Sequence, residues 1–218
     1  MLVKRLLDSF FPPSCLLCSE RTIESGGLCP DCFSLLKFVM PDESKNFLAD
    51  LPDCSEVRAA VQYDDGVKKL VLGLKYGDRL DTAPLLARMM GNAGREMIER
   101  ADVLVPVPLH WRRLWVRKYN QAAVLADCIG KAASIPSDPF ILKRSKATLP
   151  QGHFSKKERL ENMSDAFCVK NAAKIKDKKV VLIDDVLTTG ATLNACAGVL
   201  KEAGASDVFA LTFACVKK

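Results

Sequence analysis

A chain of 218 residues has room for one full domain and a small satellite. Hydrophobic residues make up 49% of it, so a sizeable core forms without disulfides, and no run approaches the roughly 20 apolar residues of a membrane span. The net charge of +6 is unevenly spread, because positions 110–160 hold eleven Lys and Arg against three acids and so outweigh the rest of the chain. One basic region that dominates the field suits polyanions such as pyrophosphate or nucleic acid.

In chain order, Leu2, Val3, Leu6, Leu7 and Phe10 recur at helical spacing and predict a short amphipathic helix over 2–11, packed on the protein itself. The basic-then-apolar start has the flavour of a secretion signal. Asp8 interrupts the run, however, Pro12 and Pro13 follow, and no small-residue cleavage site appears, so the protein reads as cytoplasmic. Cys15-x2-Cys18 and Cys29-x2-Cys32 then supply four thiolates on two turns, enough for a tetrahedral zinc at a Zn–S distance of ~2.3 Å. In a reducing compartment such a cluster reads as a metal site, against the alternative of a redox dithiol. With sulfur at all four positions the zinc is closed and structural, and it supplies the folding free energy that so small a segment cannot bury for itself. Cys54, Cys128, Cys168, Cys196 and Cys215 sit in apolar contexts and read as small core hydrophobes. The finger is more acidic than basic, which does not predict a strong phosphate-binding surface there. Pro30 opens a short helix through Leu36.

Residues 41–56, with Pro41, Pro52 and several acids, read as a linker, which divides the chain into a finger over 1–40 and an α/β domain over 57–218. In that domain a strand is expected over 57–63 and a helix over 66–76. A longer helix over 81–100 follows, with Thr82 as its cap, and then a strand over 103–108 that ends in a loop. A helix over 120–133 precedes short strands at 140–142 and 166–169 around a basic loop. A buried strand over 180–183, a helix over 192–203 and a strand over 208–216 complete the chain. Alternation of this kind predicts a mostly parallel sheet flanked by helices on both faces.

The segment from Val180 to Thr192 carries the clearest chemistry. An apolar strand delivers Asp184 and Asp185 to its C-terminal end, where ligands bind in open α/β sheets. Val186, Leu187, Thr188, Thr189, Gly190, Ala191 and Thr192 then lead into a helix, so that backbone N–H groups and hydroxyls meet at a helix N-terminus and form an anion site. Gly190 would allow a ligand a close backbone approach. Paired acids beside such a cradle make sense as partners of ribose hydroxyls, with Mg²⁺ shielding a diphosphate. No Walker Gly-Lys-Ser/Thr and no G-x-G-x-x-G turn is present. The string resembles the phosphoribosyl-pyrophosphate motif of type I phosphoribosyltransferases. That resemblance implies that Asp184 and Asp185 bind the ribose hydroxyls and that residues 188–192 wrap the 5′-phosphate.

Ahead of it, Pro106-Val107-Pro108-Leu109-His110 runs into a segment holding Trp111, Arg112, Arg113, Trp115, Arg117, Lys118, Tyr119, Asn120 and Gln121. On a helix, Trp111, Trp115 and Tyr119 form one aromatic stripe. Either the tryptophans are core and the arginines a solvated face, or the segment is a pyrophosphate clamp or a stacking platform for single strands. Lys143 and Arg144 begin a second basic segment, through Thr148-Leu149-Pro150-Gln151 to Asn162, with Ser155 as a helix cap and His153 as an ordinary loop histidine.

The four-cysteine finger, the P-V-P-L-H and K-Y-N-Q segments, the T-L-P-Q loop and I-D-D-V-L-T-T-G-A-T occur together in this order and resemble the ComF family of competence-associated proteins. Lys118 departs from the glycine more common at its position in that family, which affects the backbone of this loop. The resemblance implies a role in DNA uptake for natural transformation and association with single-stranded DNA, with competence or recombination proteins as partners. The alternative is an active phosphoribosyltransferase in which a nitrogen nucleophile displaces pyrophosphate, with Arg112, Arg113, Arg117, Lys143 and Arg144 as the charge clamp. No acceptor pocket is legible in the sequence, and no catalytic residue is assigned.

Overall fold

The computed structural model describes residues 12–23, 25–76, 79–144 and 166–217. The expected helix over 2–11, and the loop carrying Thr148, Pro150, Gln151, His153 and Ser155, lie outside the described residues. In chain order the helices are α1 (Pro30–Ser34), α2 (Pro41–Lys45), α3 (Asp65–Tyr76), α4 (Ala83–Ala93), α5 (Arg95–Glu99), α6 (Trp111–Arg117), α7 (Gln121–Ala133) and α8 (Ala191–Glu202). The strands are β1 (Glu56–Gln62), β2 (Val103–Pro106), β3 (Leu142–Arg144), β4 (Phe167–Val169), β5 (Lys179–Leu187) and β6 (Asp207–Cys215).

β5 and β6 are nearly continuous runs of apolar residues, as strands buried on both faces must be, and they occupy the middle of the main sheet. The order is β1-β6-β5-β2 with every neighbouring pair parallel. β3 and β4 form a separate antiparallel hairpin. Alternation along the central strands splits the core in two. Val181, Ile183, Phe209 and Leu211 pack with α3, α4 and α7, whereas Val180, Leu182, Val208 and Ala210 pack with α8.

Four expectations are corrected. The helix over 81–100 is interrupted: α4 ends at Ala93, Gly94 is its C-cap, and α5 restarts at Arg95. A Cβ at Gly94 would come within 2.8 Å of Leu211, so the break sits where the helix lies directly against β6. Thr82 does not cap α4 with its side chain, because its hydroxyl donates to the Arg79 carbonyl at 2.8 Å. Residues 41–56 are not a free linker. They contain α2 and a 3₁₀ turn at Leu48–Asp50, and Phe47, Leu51 and Cys54 are buried against the α8 face of the sheet. Their apolar spacing, rather than the surrounding acids and prolines, decided the outcome. The strand expected over 140–142 is displaced to β3, leaving Phe140 largely exposed.

The Lys118 departure has a structural consequence. Asn120 caps α7 through its side chain, and α6 closes just before it with Lys118 at φ 66°, ψ −15°, its N–H donating to the Leu114 carbonyl. A Cβ in this left-handed region is strained where glycine is not. Lys118→Gly is therefore expected to raise unfolding stability by about 0.5–1 kcal/mol, measured as a higher urea midpoint at unchanged slope. A lower midpoint would show that α6 tolerates the turn without strain.

Candidate functional site

The four cysteines converge. Pro30 starts α1 immediately after Cys29, whose sulfur accepts the Cys32 N–H at 3.4 Å, and Cys15 accepts the Leu17 N–H at 3.5 Å. Cys18 and Cys29 sulfurs stand 3.6 Å apart, and one atom from each of the four residues lies within 4.8 Å of the others. Four sulfurs at ~2.3 Å from one ion stand roughly 3.8 Å apart, so the set fits a tetrahedral metal. Thiol electrostatics agree. Burial opposes ionisation of Cys15, but backbone donors at Cys18, Cys29 and Leu17 bring it down to about 6. Burial and the three neighbouring sulfurs push Cys32 far upward. Four thiolates cannot share this space without a cation.

The second site lies at the C-terminal end of β5. The strand extends past the acid pair, through Val186 to Leu187, before the chain bends at Thr188 and Thr189 and enters α8. The pleat sends Asp184 toward α8 and Asp185 toward α3, where its carboxylate meets the Lys75 ammonium at 2.9 Å. Asp184 accepts the Asp185 N–H at 2.8 Å. Burial first, and the neighbouring Asp185 charge second, push Asp184 up to about 7, while Lys75 and Arg117 pull the other way. Thr188 and Thr189 are exposed, Ala191 and Thr192 partly so, and the Thr189 hydroxyl accepts the Ala191 N–H at 3.5 Å.

Two expected ligand contacts look different in three dimensions. Leu187 is buried in the α8 core, so its side chain cannot face a ligand. Gly190 adopts φ +77° at the N-cap of α8, and a Cβ there would stand 3.2 Å from Leu51. On the side a Cβ would occupy, its close neighbour is the protein's own segment 46–55.

The basic residues separate into groups. His110 caps α6, its Nδ1 accepting the Arg112 N–H at 3.3 Å, and its buried Nε2 has no hydrogen-bond partner. Burial lowers its pKa first, and the charges of Arg144, Arg112 and Arg113 lower it further. Arg144 also lies over the Phe167 ring, 5.3 Å from its centroid. Arg117 turns the other way, donating to Tyr76 Oη at 2.7 Å and Gln121 Oε1 at 3.1 Å. Lys143 is exposed on the hairpin position between buried Leu142 and half-buried Arg144, so alternation points it away from Arg144. Lys118 is exposed at the end of α6. Trp111 and Trp115 are not core: they are 56% and 81% exposed, and Leu114 and Val116 are exposed beside them. Sequence reasoning missed Lys75 and Tyr76, whose place at the end of an ordinary amphipathic helix gave no sign of their neighbours.

Comparison with known proteins adds two matches. The phosphoribosyl transferase domain family matches residues 121–217, and the double zinc ribbon domain matches residues 6–44. With the sulfur geometry, the ribbon match makes Cys15, Cys18, Cys29 and Cys32 a structural zinc site. Competence protein F of Haemophilus influenzae is 30% identical over 200 residues, spanning 88% of this chain and 87% of that protein. DNA utilization protein YhgH of Escherichia coli is 28% identical over 204 residues, spanning 89% and 86%. The allosteric regulatory enzyme of purine biosynthesis aligns in three dimensions with a TM-score of 0.44 at 20% identity, over 65% of this chain and 29% of that one.

Because Asp184 holds its proton up to about 7 in the native state but, at an ordinary 3.8, has released it in the unfolded chain, its contribution to stability is present below about pH 4 and lost as pH rises toward 7. Asp184→Asn keeps an acceptor for the Asp185 N–H. It is expected to be more stable than the parent at pH 8 by ~1–3 kcal/mol and nearly equal at pH 4, read from urea midpoints. An equal gain at both pH values would remove the electrostatic explanation.

Proposed function

Since the chain belongs to the competence protein F (ComF) family, we propose that it serves DNA uptake in natural transformation, binding phosphoribosyl pyrophosphate with Mg²⁺ at the end of β5 and single-stranded DNA along α6. The observation that supports the first ligand most is the placement of Asp184 and Asp185 on a central parallel strand that runs directly into the N-terminus of a twelve-residue helix. In this reading the two carboxylates accept the ribose hydroxyls. Thr188, Thr189, Ala191 and Thr192 surround the 5′-phosphate, with the backbone of Val186, Leu187 and Gly190 completing the cradle. Arg112, Arg113 and Arg144 face the diphosphate beside His110, and Mg²⁺ screens its charge. The protein works in the cytoplasm, with competence or recombination proteins as partners. Residues 1–40 act as the zinc-held unit and 57–218 as the ligand-binding one.

For single-stranded DNA, the supporting observation is that Trp111 and Trp115 are exposed on the same short helix as Arg112 and Arg113. Bases stack on such rings for roughly 1–3 kcal/mol each, while the arginines meet phosphates. The alternative of a working transferase needs an acceptor pocket. Two large grooves among the described residues, of about 860 and 820 Å³, lie beside the finger and between α4 and α7, and neither is lined by Asp184 or Asp185.

Calorimetric titration of Mg²⁺–phosphoribosyl pyrophosphate is expected to give micromolar-range binding that the Asp184→Ala, Asp185→Ala double variant loses. Absence of binding by the parent would withdraw this ligand. An oligothymidylate should bind with an affinity that falls steeply with salt, and Trp115→Ala should weaken it about tenfold. Salt-independent or absent binding would sink the DNA role.

A further inference from the structure

Lys75 is the cation that the phosphoribosyl reading leaves unexplained. It sits at the end of α3, outside residues 121–217, yet its ammonium lies 2.9 Å from Asp185, with both side chains largely shielded from water. A shielded ion pair is a poor stability device, because the cost of desolvating both charges offsets most of their attraction. Apolar side chains on α3 already hold the helix in place, since Val67, Leu70, Val71 and Leu74 are all buried. The helix end is fixed again from outside by the Tyr119 hydroxyl, which donates to the Leu74 carbonyl at 2.5 Å. Lys75 is therefore delivered to the acid pair from a rigid element that does not need the pair to stay folded.

Two basic side chains act on Asp184: Lys75 and Arg117. Arg117 is engaged, bonded to Tyr76 and Gln121 and lying over the Tyr76 ring at 4.7 Å. Lys75 is paired with Asp185, and an ammonium on a four-carbon stem carries three donors and can change partner without moving the backbone. A sugar diphosphate arriving at two carboxylates meets like-charge repulsion of the order of 1–4 kcal/mol per pair at ~4 Å. Something positive must stand between them, and Lys75 is already there.

We propose that Lys75 is a ligand-binding residue: its ammonium pairs Asp185 in the free protein and takes a phosphate oxygen of the phosphoribosyl ligand in the complex, releasing Asp185 to the ribose hydroxyls. This inference rests on the phosphoribosyl reading of the site and extends it to an element from the first half of the chain. Tyr76, by holding Arg117, keeps that arginine from taking the same role.

The test is calorimetric titration of Mg²⁺–phosphoribosyl pyrophosphate into the full zinc-loaded chain and four variants. Lys75→Met is expected to bind at least tenfold more weakly, and Lys75→Arg, which keeps the charge, to recover most of the loss. Because Lys75→Met leaves a shielded carboxylate without its partner and can unfold the protein, Asp185→Asn is compared with Asp185→Asn/Lys75→Met, where no carboxylate is orphaned. A further loss of at least fivefold in the double variant supports direct contact between Lys75 and the ligand. Equal affinities in that pair overturn the inference, since Lys75 then acts only on Asp185. Binding by the parent with an unaffected Lys75→Met overturns it as well, leaving the phosphoribosyl reading intact. No binding by the parent overturns both.

Discussion

Everything at the candidate site depends on the pleat of one buried strand. β5 is apolar from Val180 to Ile183, hydrogen-bonded on both sides, and covered by helices on both faces, so its register cannot slip without turning core residues outward. Because consecutive side chains leave a strand in opposite directions, Asp184 and Asp185 enter different surroundings although they are neighbours in sequence. Asp185 meets an ammonium from α3. Asp184 lies on the α8 side, where Cys196 is packed in the core. Two identical side chains are thereby given different surroundings by backbone geometry alone.

The same strand sets what the rest of the chain contributes. α8 begins where β5 ends, and the turn between them closes through Gly190 in the left-handed region, with Leu51 against it. Segment 41–56 is thus part of the wall behind the turn between β5 and α8, and it ties the finger to the α/β domain through buried Phe47 and Leu51. Among its described residues the finger has little core, only Cys15, Leu16, Cys29 and Leu36 being buried. Zinc supplies the folding free energy that this surface cannot.

α6 stands apart, since the structure gives it no buried residue. It is short, basic and aromatic. It is held at its start by His110 and at its end by Arg117, which grips Tyr76 beside Lys75. A helix of seven residues has no stability of its own in water, so these anchors fix where its rings stand. Exposed tryptophans on a structural helix are costly to solubility, and their position on the basic part of the chain is what gives them a use in the proposed DNA role. Its charged residues are divided, Arg112 lying over the Trp111 ring and Arg117 reaching Tyr76 on α3.

The sequence by itself determined the architecture and the local chemistry. Apolar runs at 180–183 and 208–216, helices between them and the acid pair at a strand end all follow from periods of 2 and 3.6 residues, which are properties of the local chain. The two C-x2-C turns were equally legible, because a metal site of this kind is written in spacing. Tertiary structure decided whatever depends on partners distant in sequence. Lys75 meets Asp185 only because α3 packs on the face of the sheet to which position 185 points. Gly190 stands against Leu51 because segment 46–55 folds back onto α8. Trp111 and Trp115 are exposed because α6 packs no face against the sheet, and a stripe of tryptophans reads the same on a buried helix as on a bare one. Sequence pattern specifies which way a side chain leaves its own backbone, and only the packing of elements specifies what it meets.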